Sequence, residues 1–246
     1  MRITILFALL IASQSCGADD KPTADQLNRK GMILLNDREN EKAVATFTEL
    51  LKTDPEWVKA YDRRGDAYLK LGKFKEAVVD FDTFLKAEPK FAPEHWRRGI
   101  ALYYLDRFED GVKQFETHKT VNPQDVENAV WHYLCNVHVV GKDKAKAALI
   151  DVTQDTRVPM AEIQKLYAGK MTPTQVLAVA EKTDVNAARG TEARFYAHLY
   201  LALWYESEKD VKKRTEHLTL AVEKYKIGHY MWDVGNAQLK MVKSKP

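Results

Sequence analysis

The sequence predicts an all-α fold, a solenoid of stacked helical hairpins, and two observations carry that expectation. The first is periodicity. Gly31, Gly65 and Gly99 stand 34 residues apart, and the same spacing relates Ala43, Ala77 and Gly111, then Phe47, Phe81 and Phe115, then Pro55, Pro89 and Pro123. Four columns at one period mark three repeats, 24–57, 58–91 and 92–125. Each is too small to cover its own apolar face, so stacking supplies the core. The second is helix-boundary chemistry. Thr23-Ala24-Asp25-Gln26 has capping-box spacing, Asp54-Pro55 and Asn122-Pro123 read as an N-cap followed by proline at the first helical position, and Gly72 is free to take positive φ between two helices.

Each repeat then resolves into two helices. A glycine in the middle of the first helix permits close approach of a neighbour, and the Ala43 column does the same in the second helix. The phenylalanine column fills the space between hairpins, with Tyr68, Phe74 and Phe108 in further apolar columns. After residue 125 the pattern decays into a degenerate stretch, 126–194. Ala145 and Leu149 continue two columns with Gly141 in the turn, so 126–157 is expected to be a fourth, imperfect hairpin. Pro159 opens a short helix ending near Gly169, Thr172-Pro173-Thr174-Gln175 caps another reaching about Lys182, and Asp184–Thr191 reads as a loop. A repeat-like hairpin returns over 195–243, with Ala202 in the glycine column, Tyr205 in an aromatic one, Leu218 in the phenylalanine column and Ala221 at a small position. Arg214 departs from the pattern at the other small site. His229–Met241 is expected to be a capping helix with a polar outer face.

The totals narrow function by exclusion. Apolar residues make up 45% of the 246 and charged ones 30%, a balance for a folded chain rather than a disordered one. The net charge of +3 is too small and too interspersed for a nucleic-acid binder. Residues 1–15 read as a signal peptide: Arg2, an apolar run from Ile3 to Ala12, then Ser13-Gln14-Ser15. Cys16 sits where a bacterial lipoprotein carries its acyl chains, with 16–23 as a tether, although Ser13 replaces the usual leucine. Cleavage by an ordinary signal peptidase and an uncleaved anchor are the alternatives. With only Cys16 and Cys135, acylation of the first leaves no partner for a disulfide.

Catalytic constellations are weak. The two serines after the leader, Ser207 and Ser244, lack a nucleophile-elbow context, and no phosphate loop or dinucleotide fingerprint is present. His132, Cys135 and His138 spread over one helix face and lack a fourth ligand, so they are expected to be packing residues rather than a metal set. The chain is therefore expected not to be an enzyme and to hold no cofactor.

The columns are those of the tetratricopeptide repeat (TPR), and this resemblance implies a concave groove lined by the first helix of each repeat. The matching positions include Lys59, Asp62 and Asp66 in the second repeat and Trp96, Ile100, Tyr103 and Tyr104 in the third, so these are the candidate protein-binding residues; the equal alternative is that the C-terminal helices, which must pack on something, fold back and bury the aromatic patch. The carboxylate clamp of chaperone-binding members would fall on Asn28, Met32, Arg63, Pro93 and Arg97, of which Arg97 alone suits. Together with the leader, the Arg98–Tyr104 segment, Trp131-His132-Tyr133-Leu134 and Leu220-Ala221-Val222, the chain resembles the NlpI-type TPR lipoproteins of bacterial envelopes. That resemblance implies a lipid-anchored adaptor facing the periplasm that binds other envelope proteins and forms a homodimer. Secretion as a soluble protein is the alternative address, and a self-assembling structural protein the alternative function.

Overall fold

The computed structural model describes residues 21–184 and 188–244; the leader and Cys16 lie outside them. Among the described residues there are thirteen α-helices, one 3₁₀ turn, one π-helical turn and no strand, and no helix is long and apolar enough to cross a membrane.

The three repeats form the hairpins α1/α2 (Ala24–Asn36, Asn40–Thr53), α3/α4 (Val58–Lys70, Phe74–Ala87) and α5/α6 (Trp96–Tyr103, Phe108–Lys119). The capping box at Thr23 is formed, with Gln26 Oε1 accepting from the Thr23 backbone at 2.7 Å. The glycine and phenylalanine columns prove to be one contact. A Cβ on Gly31, Gly65 or Gly99 would stand 2.6–2.7 Å from the ring of Phe47, Phe81 or Phe115. Each phenylalanine thus fills the notch left by the glycine of its own hairpin rather than the space between hairpins.

The structure adds two columns that the sequence reading missed. Arg38, Gly72 and Asp106 are the turn residues of the three hairpins, again 34 apart, and all adopt positive φ. Lys209 takes the same conformation seven residues after Ala202, as Gly72 does after Gly65, which fixes the register of the last hairpin. Arg64 donates to both carboxylate oxygens of Asp80 at 2.8 Å and to Thr48 at 3.3 Å; 34 residues on, Arg98 bonds Asp82 at 2.6 Å and Gln114 at 3.3 Å. In each case an arginine beside the repeat glycine ties its own second helix to that of the preceding hairpin.

Several boundaries differ from expectation. Asp54 and Asn122 are not N-caps. Asp54 instead accepts from the Glu56 backbone at 3.1 Å in a tight turn, and α3 begins three residues after Pro55. Pro89 does open a helix, but a 3₁₀ one (Pro89–Glu94), because Pro93 has no N–H to continue an α-helical ladder. The fourth hairpin is stunted. Helix α7 (Val126–Val140) is followed by the six-residue α8 (Lys142–Ala147), and Leu149 already lies outside a helix. Helices α9 (Met160–Tyr167) and α10 (Pro173–Lys182, with its Thr172 capping box) follow, and α11 (Ala188–Ser207) begins inside the expected loop. Helix α12 (Val211–Thr219) runs into a π-helical turn, Leu220–Lys224.

The closing helix α13 (Tyr230–Ser244) is no polar cap. Except for the half-buried Trp232 and Asn236, residues 231–239 are all buried, Asp233 and Gln238 among them. It is enclosed because it packs on α3 on one side and on α12 and the π-helical turn on the other, within the concave side of the repeats.

Candidate protein-binding groove

The first helices of the repeats line a concave face, and the chain fills most of it with its own C-terminal part. Trp96 meets the Tyr230 ring edge-on at 4.9 Å, and the Tyr230 hydroxyl bonds Asp66 at 2.5 Å. Lys70 stands 4.9 Å over the Tyr230 ring while pairing with Asp66 at 2.9 Å. Ile100 is 1% exposed and Tyr103 4%. The Tyr103 hydroxyl donates to Glu206 of α11 at 3.0 Å, and Glu206 also accepts from Gln238 of α13 at 2.6 Å. Tyr104 stacks on Phe74 at 4.5 Å. At the far edge Arg38, held at its positive φ, bonds Asp233 at 2.9 Å and lies over Trp232 at 5.5 Å.

Of the two alternatives for the groove, open or covered by the C-terminal helices, the covered one describes five of the candidate residues. Trp96, Ile100, Tyr103, Tyr104 and Asp66 face the chain's own α11 and α13 or neighbouring repeat side chains. The apolar faces of the C-terminal helices need cover, and Trp96, Ile100 and Tyr103 supply it. Lys59 and Asp62 are placed differently. They line a cleft of about 290 Å³ with Arg63, Phe84, Phe91, Glu94, His95 and Arg97, between α3 and the 3₁₀ turn. Lys59 is exposed, and Phe91 stacks on Phe84 at 5.6 Å. Asp62 accepts from Arg97 at 2.8 Å and bonds His95 Nε2 at 2.9 Å; burial alone would raise its carboxyl, but these two partners hold it below the usual range. Arg97, the one residue suited to a carboxylate clamp, is thus committed to Asp62 and to Asp66 at 3.3 Å.

The residues weighed for chemistry do not converge. Cys135 packs against Gly111, and burial pushes its thiol up to about 12, far from a reactive thiolate. His138 stacks on Phe108 at 3.9 Å, and His132 contacts Asn136 of its own helix. Among the described residues no group of three His, Cys, Asp or Glu side chains is placed to hold a metal. A polar network missed by sequence reading lies at the start of α7: Arg157 bonds Asp125 at 2.9 Å and Asp155 at 2.6 Å, and also Glu127, whose other oxygen accepts from the Tyr200 hydroxyl. Desolvation pushes Glu127 up to about 7, against the pull of Arg157.

A stack of helical hairpins around a concave face defines a repeat scaffold. Residues 58–91 match the family model of the tetratricopeptide repeat, so the second hairpin is one such repeat, and the stack around it has the TPR fold. The chain is similar to the crystal structure of a tetratricopeptide repeat protein from Parabacteroides merdae ATCC 43184, at 16% identity over 90% of this chain and 84% of that one, with a TM-score of 0.54. It is also similar to a thermophilic TPR protein from Thermus thermophilus, at 17% identity over 88% of this chain and 100% of that one, with a TM-score of 0.46. None of the curated proteins matches the sequence.

Proposed function

We propose that this chain is a non-catalytic TPR adaptor that takes protein partners at the cleft between α3 and the 3₁₀ turn. One observation carries the reading: the C-terminal helices fill the groove beside repeat 3 but leave Lys59, Arg63, Phe91 and Glu94 together at its open edge. An aromatic floor rimmed by both charge signs suits an extended peptide segment of a partner. The leader and Cys16 support the finer part of the proposal, that the adaptor is exported, lipid-anchored in a bacterial envelope and serves envelope proteins, as in the NlpI-type lipoproteins it resembles.

Site-specific photocrosslinking in cells tests the surface. A crosslinking residue at Lys59 or Glu94 should give partner adducts, and one at Val79, 59% exposed on the second helix of the same repeat, should not. Lys59→Glu should weaken adduct formation from Glu94 with the melting temperature unchanged. Equal adducts from Val79, or none from the cleft, would overturn the assignment.

A further inference from the structure

We propose that the outer face of α1 docks on an anionic phospholipid surface, with Arg29 and Lys30 on headgroup phosphates and Ile33 at the acyl boundary. In repeats 2 and 3 a pair of adjacent arginines reaches back to oxygens of the hairpin before. Arg63 donates to Asn28 and Arg64 to Thr48 at 3.3 Å; Arg97 donates to Asp62 at 2.8 Å and Arg98 to Asp82 at 2.6 Å. Three residues on, Ala67 and Ala101 are 0% exposed, and Ala67 packs into the core of repeat 1. The same three positions of repeat 1 are Arg29, Lys30 and Ile33. Among the described residues no hairpin stands behind them. Arg29 and Lys30 are exposed, without an ion pair or a side-chain hydrogen bond, and Ile33 is 60% exposed. Spacings of three and four put all three on one face of the helix.

Reach and charge choose the bilayer as the occupant. The stretch between Cys16 and α1, residues 17–23, spans at most about 25 Å when extended, so a lipid at Cys16 keeps this face within reach of the headgroups. Phosphate oxygens supply the acceptors that the other two repeats find in protein, and an anionic surface attracts each lysine or arginine brought to it. Cations beside an exposed isoleucine make an interfacial face. Asp25, the acidic residue of α1, lies in the first turn, where the helix dipole accounts for it. A second copy stacked head to tail fits less well. The position of α11 that matches Asp62 is Leu199, and α13 already covers it: a Cβ on Gly235 would stand 3.2 Å from Leu199 Cδ1. The docking rests on the lipid-anchored reading of the leader given above.

The test uses the protein purified from cells, with a solvent-sensitive fluorophore on Asn36→Cys, exposed at the end of the same face, or on Val79→Cys, exposed on the second helix of repeat 2. Cys135 is buried and does not compete for the label. The mass of the protein reports acylation of Cys16 and so judges the anchor by itself; protein found without acyl chains is labelled in the Cys16→Ser background. In vesicles of phosphatidylglycerol and phosphatidylcholine, nitroxide-bearing lipids should quench the probe at 36 and spare the one at 79. In phosphatidylcholine alone that contrast should be lost. Arg29→Gln and Lys30→Gln should each lower the docked-to-undocked ratio about fivefold, with the melting temperature unchanged because both side chains are exposed. Equal quenching at 36 and 79 in acylated protein would leave the anchor standing and overturn the docking face. Quenching at neither position would also overturn it. So would a probe at 36 already shielded in lipid-free solution, which assigns the face to the leader or to a second copy.

Discussion

Gly65 illustrates how a single missing Cβ sets the stack. The ring of Phe81 occupies the space that any side chain would need, so Gly65→Ala forces a shift costing about 1–3 kcal/mol, as overpacking does. Phe81→Leu made in the same chain should recover part of the loss, and denaturant unfolding of the double-mutant cycle checks the coupling. Lys209 offers the opposite case. It holds a left-handed conformation that costs a side-chain-bearing residue roughly 1–2 kcal/mol, so Lys209→Gly should raise the unfolding midpoint, net of glycine's larger unfolded-state entropy. Titration makes a third prediction. Glu127 has a folded pKa of about 7 against an ordinary 4.5, so its proton is held more tightly in the folded state and stability falls as pH rises from 4.5 to 7. His198, 2.8 Å from His217 Nδ1 to Nδ1, is pushed down to about 4 by burial and then by its neighbour's charge, so it opposes this, adding stability as pH rises from 4 to 6.5. Glu127→Gln removes the first effect and keeps the second. The variant should therefore gain about 1–2 kcal/mol more than the parent between pH 5 and 7; parallel stability curves would show that Glu127 does not titrate there. At this scale the sequence displayed the glycine and phenylalanine columns because both residue types are rare and large in effect. It hid Arg64 and Arg98 because their partners, Asp80 and Gln114, share a position but not a residue type.

Among the elements, the helices that follow the 34-residue period were legible nearly to their ends. Those that depend on tertiary cover were not. Pro55 and Pro123 were misplaced because Asp-Pro and Asn-Pro serve a turn as well as an N-cap, and only the chain's path decides between them. The role of α13 was hidden more deeply. A helix with Asp233, Gln238 and Lys240 on it looks like an end cap, yet Asp233 and Gln238 are buried because Arg38 and Glu206 stand opposite them. The candidate groove inherited that error: its residues were chosen by their repeat position, and the pair left at an open surface, Lys59 and Asp62, are those α13 does not reach. Tyr104→Ala should accordingly lower stability, by about 1–3 kcal/mol for a half-buried ring packed on Phe74, and leave partner capture proportional to the folded fraction. Ending the chain after Ile227 should uncover Trp96, Ile100 and Tyr103, read as increased binding of an apolar dye. A truncated chain with unchanged dye binding would mean that the groove closes without α13.

For the whole molecule, the address rests on residues that the structure does not describe, and its test is cellular. Cys16→Ser should move the protein from the membrane to the soluble fraction, because stable anchoring needs more than one acyl chain at that cysteine. Wild type found already soluble would favour simple secretion. Unlike a plain repeat array, the fold bonds its closing helix α13 to its first hairpin, Arg38 to Asp233, across 195 positions of sequence. A ribosome makes the two partners in order. At roughly 5–20 residues per second, repeats 1–3 are finished several seconds before α13 exists. Every newly made copy therefore passes through an interval in which α13 does not yet cover Trp96 and Tyr103, and nascent-chain chaperones meet a surface that the mature protein largely encloses.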